Sequence, residues 1–189
     1  MSGLYLASQS PRRTELLHQV GIDHTVVTSS YVEDNVVITD PIEMVKAQAL
    51  GKARYANDVP DGSIVLGADT IVVFDEKVLG KPHSKDEART MLRTLSGQVH
   101  SVITGVALLI KGREIVFHNE TKVYFKTLQD FEIESYIDSM EPMDKAGAYG
   151  IQGKGALWVD KIEGSYTNVV GLPVEHVYEE LCKALGVKS

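Results

Sequence analysis

Two helix starts in this chain are written alike, and each follows a β-forming run. Ser10-Pro11 comes after Leu4-Tyr5-Leu6-Ala7, and Asp40-Pro41-Ile42-Glu43 comes after the run His24 to Ser29. In both, a short polar residue stands at the N-cap and proline at the first helical position, where its missing N–H costs nothing. A chain that keeps alternating strands with capped helices must lay its helices against a sheet.

The remaining pattern extends this. Leu4 to Ala7 reads as a buried strand and Pro11 to Val20 as a helix, with Leu16, Leu17 and Val20 on its inner face. His24 to Ser29 reads as a second strand. Asp40 caps a long helix running to about Asn57, with Glu43 closing a capping box. Ser63 to Phe74 is β-rich and interrupted by Gly67-Ala68-Asp69-Thr70. Ser84-Lys85-Asp86-Glu87 opens a helix that stops near Ser96-Gly97. Val99 to Ile110 and Glu114 to Phe125 flank Lys111-Gly112-Arg113 as a hairpin. A helix from about Leu128 to Ser139, a glycine-rich stretch from Gly147 to Gly155, a strand from Ala156 to Ile162 and a helix from Pro173 to Leu185 complete the chain. The expected class is α/β with a mixed sheet. No repeat or long linker interrupts it, so residues 1–189 read as one domain.

Composition narrows the function classes. The formal net charge of −7 argues against nucleic acid or an anionic membrane as a general partner. A polyanion then needs cations gathered locally. Cys182 is the only cysteine, which excludes an intrachain disulfide and a cysteine-rich zinc site. Met1 to Ser10 lacks the pattern of a secretory signal, and no segment approaches the roughly 20 apolar residues of a membrane span. The expected compartment is the cytoplasm.

Five constellations carry possible chemistry. In Ser8-Gln9-Ser10-Pro11-Arg12-Arg13, serine hydroxyls, helix N-terminal amides and two guanidinium forks suit phosphate oxygens; a capped helix with solvated arginines is the plain alternative. Asp69 can bind a metal, accept a proton from water, or simply sit in a turn, and Thr70 can orient a ligand or serve as a β-former. Glu33-Asp34 offers oxygens to Mg²⁺ or forms a solvated acidic loop. Lys52 and Lys81 can neutralise phosphate or lie in solvent. In Asp144 to Val159, glycines allow close backbone approach and Gln152 can make paired hydrogen bonds to a base edge.

Taken together, "LASQSPRR", "LGADTIVV", "LGKP", "LSGQVHSV", "DKAGAYGIQG" and "NVVGLP" resemble the Maf family of nucleoside triphosphate pyrophosphatases, from about Leu4 to Pro173. The resemblance implies a fold like that of inosine triphosphate pyrophosphatase: an elongated mixed sheet flanked by helices, with two lobes and a cleft. The unspaced "SPRR" and "AGAYGIQG" are similar to the branch acting on dTTP and UTP. By that likeness Asp69 is the proton acceptor, and Arg12, Thr70 and Gln152 govern substrate choice. Ser8, Arg13, Lys52 and Lys81 fall where phosphate contacts belong, with Lys81 also in the catalytic set. Glu33, Asp34 and Asp69 are the metal candidates. Glu33-Asp34 inverts the Asp-Glu order of many relatives, which leaves open which carboxylate takes the cation.

The function so implied is hydrolysis of dTTP, UTP and modified pyrimidine triphosphates to monophosphate and pyrophosphate, a house-cleaning of nucleotide pools. It would use Mg²⁺ or Mn²⁺, with a homodimer as the assembly the family suggests. The rival reading is a regulator of cell division or septum formation that acts by binding a partner.

Overall fold

The computed structural model describes residues 3–32 and 38–187. Its strands are β1 (Leu4–Ala7), β2 (Thr25–Val26), β3 (Ile64–Phe74), β4 (Lys77–Leu79), β5 (Val99–Ile110), β6 (Arg113–Phe125) and β7 (Val159–Glu163). The α-helices are α1 (Pro11–Gln19), α2 (Pro41–Arg54), α3 (Lys85–Leu95), α4 (Asp130–Asp138), α5 (Tyr166–Val170) and α6 (Val174–Leu185). The strands form one 7-stranded sheet in the order β2-β1-β3-β5-β6-β7, with β4 also on β3. It is mixed: β1 pairs in parallel with β2 and β3, whereas β3–β4 and β6–β7 are antiparallel. The expected α/β class is therefore what the chain adopts.

Backbone contacts divide the chain into two compact units. The first is Met1–Asp69, Thr104–Asn119 and Gly171–Ser189, and the second is Thr70–Ile103 and Glu120–Val170.

In the first unit the packing is set by small residues. Ala7, Ala49, Ala53, Val65 and Ala107 form a buried cluster. With so little side-chain volume between them, α2 and the sheet meet almost backbone to backbone. A Cβ added at Gly67 on β3 would lie 2.2 Å from the Ala49 carbonyl oxygen and 2.8 Å from the Ala53 nitrogen. One added at Gly105 on β5 would lie 2.3 Å from the Val45 carbonyl oxygen. The start of α2 follows its sequence: Asp40 Oδ1 accepts from the Ile42 and Glu43 amides at 2.8 and 3.1 Å.

In the second unit a larger apolar core joins Leu92, Leu95, Phe125, Ile133, Tyr136, Tyr149 and Trp158. Charged pairs run along α3 and α4, with Arg89 forked onto both oxygens of Glu134 at 2.5 and 2.8 Å and Lys85 on Asp138 at 2.9 Å. His100 is only 3% exposed. Its Nε2 lies 2.7 Å from the Tyr149 hydroxyl and its ring packs edge-on to Phe125 and Tyr149, while Nδ1 has no hydrogen-bond partner among the described residues. Desolvation by this burial lowers the His100 pKa to about 4 and raises that of Tyr149 above its ordinary value.

The structure departs from the sequence reading at several places. Val20 is 46% exposed, because α1 ends at Gln19 and Val20 is its C-cap. The strand expected over His24 to Ser29 shrinks to Thr25–Val26. α2 stops at Arg54 rather than near Asn57, and Glu43 pairs with Lys46 at 2.8 Å instead of closing a capping box. The supposed break at Gly67-Ala68-Asp69-Thr70 is absent: β3 runs unbroken for 11 residues, since glycine serves here to admit a helix and not to turn the chain. Gly153–Trp158 is a 3-10 segment, so the last strand starts at Val159 rather than Ala156. The hairpin turn stands as expected. Lys111 and Gly112, at φ 51 and 74, give the primed two-residue geometry that matches strand twist.

Gly67→Ala should lower the unfolding free energy by about 3 kcal/mol or more, since overpacking against rigid backbone lies at the upper end of such costs. Gly80→Ala, where a Cβ meets nothing within 4 Å among the described residues, should stay within about 0.5 kcal/mol in the same urea titration. The native pKa of His100 lies below its unfolded value, so the unfolded chain binds the extra proton. The His100 contribution is constant above about pH 6.5, and stability is lost as pH falls toward about 4, by about 3 kcal/mol in total. Measured against His100→Gln, which does not titrate there, that component should vanish from the pH–stability curve.

Candidate active site

The first unit collects five of the expected residues around the end of β1. β1 stops at Ala7, level with Gly67, so β3 continues past it and Asp69 lies beyond the last paired residue. There the chain leaves β1 through Ser8, Gln9 and Ser10 and enters α1. Ser10 holds the N-cap position in extended conformation, but its side chain makes no capping bond. Instead, Ser8 Oγ accepts from the Ser10 amide at 3.3 Å. The first turn of α1 holds no acidic residue to offset the positive end of its dipole. Arg12, half-buried, projects from that turn.

Arg13 is 9% exposed, and its guanidinium is built into the protein. Nε donates to the Gly171 carbonyl at 2.8 Å and Nη1 to Ser8 Oγ at 2.8 Å. The planar fork thus fixes Ser8 against the backbone just before α6. A flexible lysine head offers no such pair of fixed directions.

Asp69 and Lys52 form the second feature. Along β3, Val65, Gly67 and Asp69 share one face, because side chains alternate. Val65 packs with Ala49 and Ala53, Gly67 admits the α2 backbone, and Asp69 Oδ1 receives Lys52 Nζ at 2.7 Å. The side chains are 21% and 18% exposed, so the pair is shielded from bulk solvent yet open to a small ligand. Close helix packing on β3 is what brings the ammonium within reach of the carboxylate.

The second unit holds three more. Thr70 is half-buried on β3, and Lys81 is exposed just after β4. The β3–β4 register pairs Val72 with Leu79 and, continued two residues, sets Lys81 level with Thr70. The Gly147 amide donates to the Gly80 carbonyl at 3.0 Å, tying the segment before Lys81 to the glycine-rich stretch. Gln152, half-buried, is the N-cap of the 3-10 segment Gly153–Trp158. That stretch folds on itself: a Cβ at Gly155 would meet the Gly150 carbonyl oxygen at 2.2 Å.

Glu33 and Asp34 lie outside the described residues. Among the described residues no group of three or more His, Cys, Asp or Glu is placed to hold a metal ion. Of the three metal candidates, Asp69 is the one whose surroundings are described. A single carboxylate fits the way Mg²⁺ is usually held, by one or two carboxylates together with substrate phosphates and waters. No helix among the described residues is long and apolar enough to cross a membrane.

Sequence reasoning missed the Gly171 carbonyl as the anchor of Arg13, although "NVVGLP" had marked its neighbourhood. It also missed the helix-admitting role of Gly67 and Gly105, for which sequence carries no signal beyond a glycine inside a strand.

Comparison with known proteins gives a consistent result. A family profile described as Maf-like protein matches residues 3–184. A dTTP/UTP pyrophosphatase of Bacillus cytotoxicus is 48% identical over 181 residues, covering 96% of this chain and 95% of the relative. One from Symbiobacterium thermophilum is 51% identical, with 96% and 93% covered. One from Bacillus anthracis is 45% identical, with 96% and 95% covered.

Arg13→Lys keeps the charge but loses the fork, and should destabilise the protein by about 2–3 kcal/mol, the usual size for charge-assisted hydrogen bonds in a buried setting. Thermal and urea unfolding of the purified variant check this.

Proposed function

The chain belongs to the Maf family, and from that premise we propose that it is a pyrophosphatase that hydrolyses dTTP and UTP to the monophosphate and pyrophosphate. The observation that carries the reading is the Lys52–Asp69 pair, set beside the turn that holds Ser8, Arg12 and the α1 N-terminus. A base and a cluster of cations at one strand end is what attack on a phosphoanhydride requires.

In the reaction, a water oxygen forms a bond to the α-phosphorus while the bond from that phosphorus to the bridging oxygen breaks. Asp69 receives the proton of the water, and the bridging oxygen leaves with pyrophosphate. Lys52 holds the Asp69 carboxylate in place, and its charge would stabilise the negative charge growing on the phosphates. Arg12 and the first-turn amides of α1 bind phosphate oxygens. Arg13 shapes this cradle by holding Ser8. A divalent cation, Mg²⁺ or Mn²⁺, held by Asp69 with Glu33 or Asp34, would supply charge neutralisation for the departing pyrophosphate. Lys81 adds a further cation, and Thr70 and Gln152 read the pyrimidine. The biological setting is removal of unwanted pyrimidine nucleotides in the cytoplasm.

Asp69→Asn preserves shape and removes the proton acceptor. Pyrophosphate release from dTTP should fall at least ~10²-fold with the fold intact by circular dichroism. Near-normal turnover of the pure variant would remove Asp69 from this role. Chelation should likewise abolish turnover by the native protein, with added Mg²⁺ restoring it.

A further inference from the structure

Gln152 sits between the buried Ile151 and Gly153, the latter at φ 70, with Gly150 two residues before it. Glycines at 150 and 153 widen the freedom of the backbone around it, so the direction of the Gln152 amide depends on what holds those two positions. In the second unit a chain of contacts does so from both sides. The Gly150 amide donates to the Tyr136 hydroxyl at 3.2 Å. That hydroxyl donates to Glu141 Oε1 at 3.0 Å. The same Oε1 sits against Gly153, 2.7 Å from where a Cβ would stand. Lys145 completes the clamp: Nζ donates to the Glu141 carbonyl at 2.6 Å, and its stem packs on Gly150.

Tyr136 is itself held by packing. It is 1% exposed, with its ring edge-on to Trp158 at 4.7 Å. Burial raises its pKa above the ordinary tyrosine value, so the hydroxyl stays protonated and has one hydrogen to give. Giving it to Glu141 leaves an oxygen lone pair for Gly150. The direction of the relay is therefore set by stoichiometry.

We propose that Tyr136 and Glu141 are positioning residues for base selection, clamping the backbone on either side of Gln152 so that its amide meets the base edge in one orientation. The proposal rests on the reading of Gln152 as the group that reads the pyrimidine. Discrimination by a hydrogen-bonding amide depends on placement to a fraction of an ångström, which a glycine-rich loop does not supply alone.

The test compares kcat and KM for dTTP, UTP and GTP in the native protein, Tyr136→Phe, Glu141→Ala, Gln152→Ala and the double variant Tyr136→Phe/Gln152→Ala. Tyr136→Phe keeps the ring against Trp158 and removes only the hydroxyl. The preference for dTTP over GTP should fall by about tenfold, chiefly through KM, the size of one lost hydrogen bond. Gln152→Ala should shift preference in the same direction, and the double variant no further. Hydrogen exchange over residues 150–153 should also speed up in Tyr136→Phe and Glu141→Ala. A Tyr136→Phe protein that loses activity equally on all three nucleotides, or exchanges as slowly as the native one, overturns the proposal. Unchanged preference in Gln152→Ala would instead overturn the reading beneath it, and the proposal with it. Should Tyr136→Phe not fold, Glu141→Ala decides the same question with the tyrosine intact.

Discussion

The close approach of α2 to the sheet is the constraint on which the first unit depends. Two glycines on neighbouring strands, Gly67 and Gly105, let the helix backbone come within contact distance of the strand backbone. Lys52 is carried on that helix and Asp69 on that strand, so a steric fact determines an electrostatic one. The ammonium and carboxylate meet at 2.7 Å because no side chain stands between the elements that bear them. The site charge is thus arranged by packing and not by the local sequence around Asp69.

The two arginines of "SPRR" show how neighbours in sequence divide their work. Arg13 points inward and spends two donors on Ser8 and the Gly171 carbonyl. Arg12, one residue earlier, is turned by the helical step to a less buried position. A doublet that reads as two equal cations becomes one that holds the turn and one that is less buried at the helix start. The burial of Arg13 is tolerable because its hydrogen bonds are made before any substrate arrives.

Much of this was legible in advance. Helix starts at Asp40-Pro41 and Ser84 could be read because capping chemistry is local, the start at Ser10-Pro11 because proline suits the first helical position although Ser10 makes no capping bond, and the alternation of strands with helices gave the sheet class. Asp69 could be singled out because a carboxylate inside an apolar run demands a reason. What could not be read was whatever depends on distant partners. Gly67 looked like a break, since sequence cannot show that the backbone of a helix lies over it. Val20 looked buried because a 3.6-residue period does not reveal where the helix stops. The Tyr136–Glu141–Gly150 relay left no trace, as its members are ordinary residues whose meaning lies in their contacts.

The hairpin turn at Lys111-Gly112 bears on the order in which the molecule assembles. β5 and β6 are neighbours in the sheet and in the chain, joined by a turn whose geometry already suits their twist. Such local pairs close in about 1–10 μs. The parallel pairing of β1 with β3 has no such advantage, because α1, β2 and α2 lie between them and a long loop must close first. The expected order therefore has the hairpin early and the β1–β3 junction late. Since Ser8 follows β1 and Asp69 rides on β3, a nascent chain would acquire much of its sheet before it brings these two proposed site residues together.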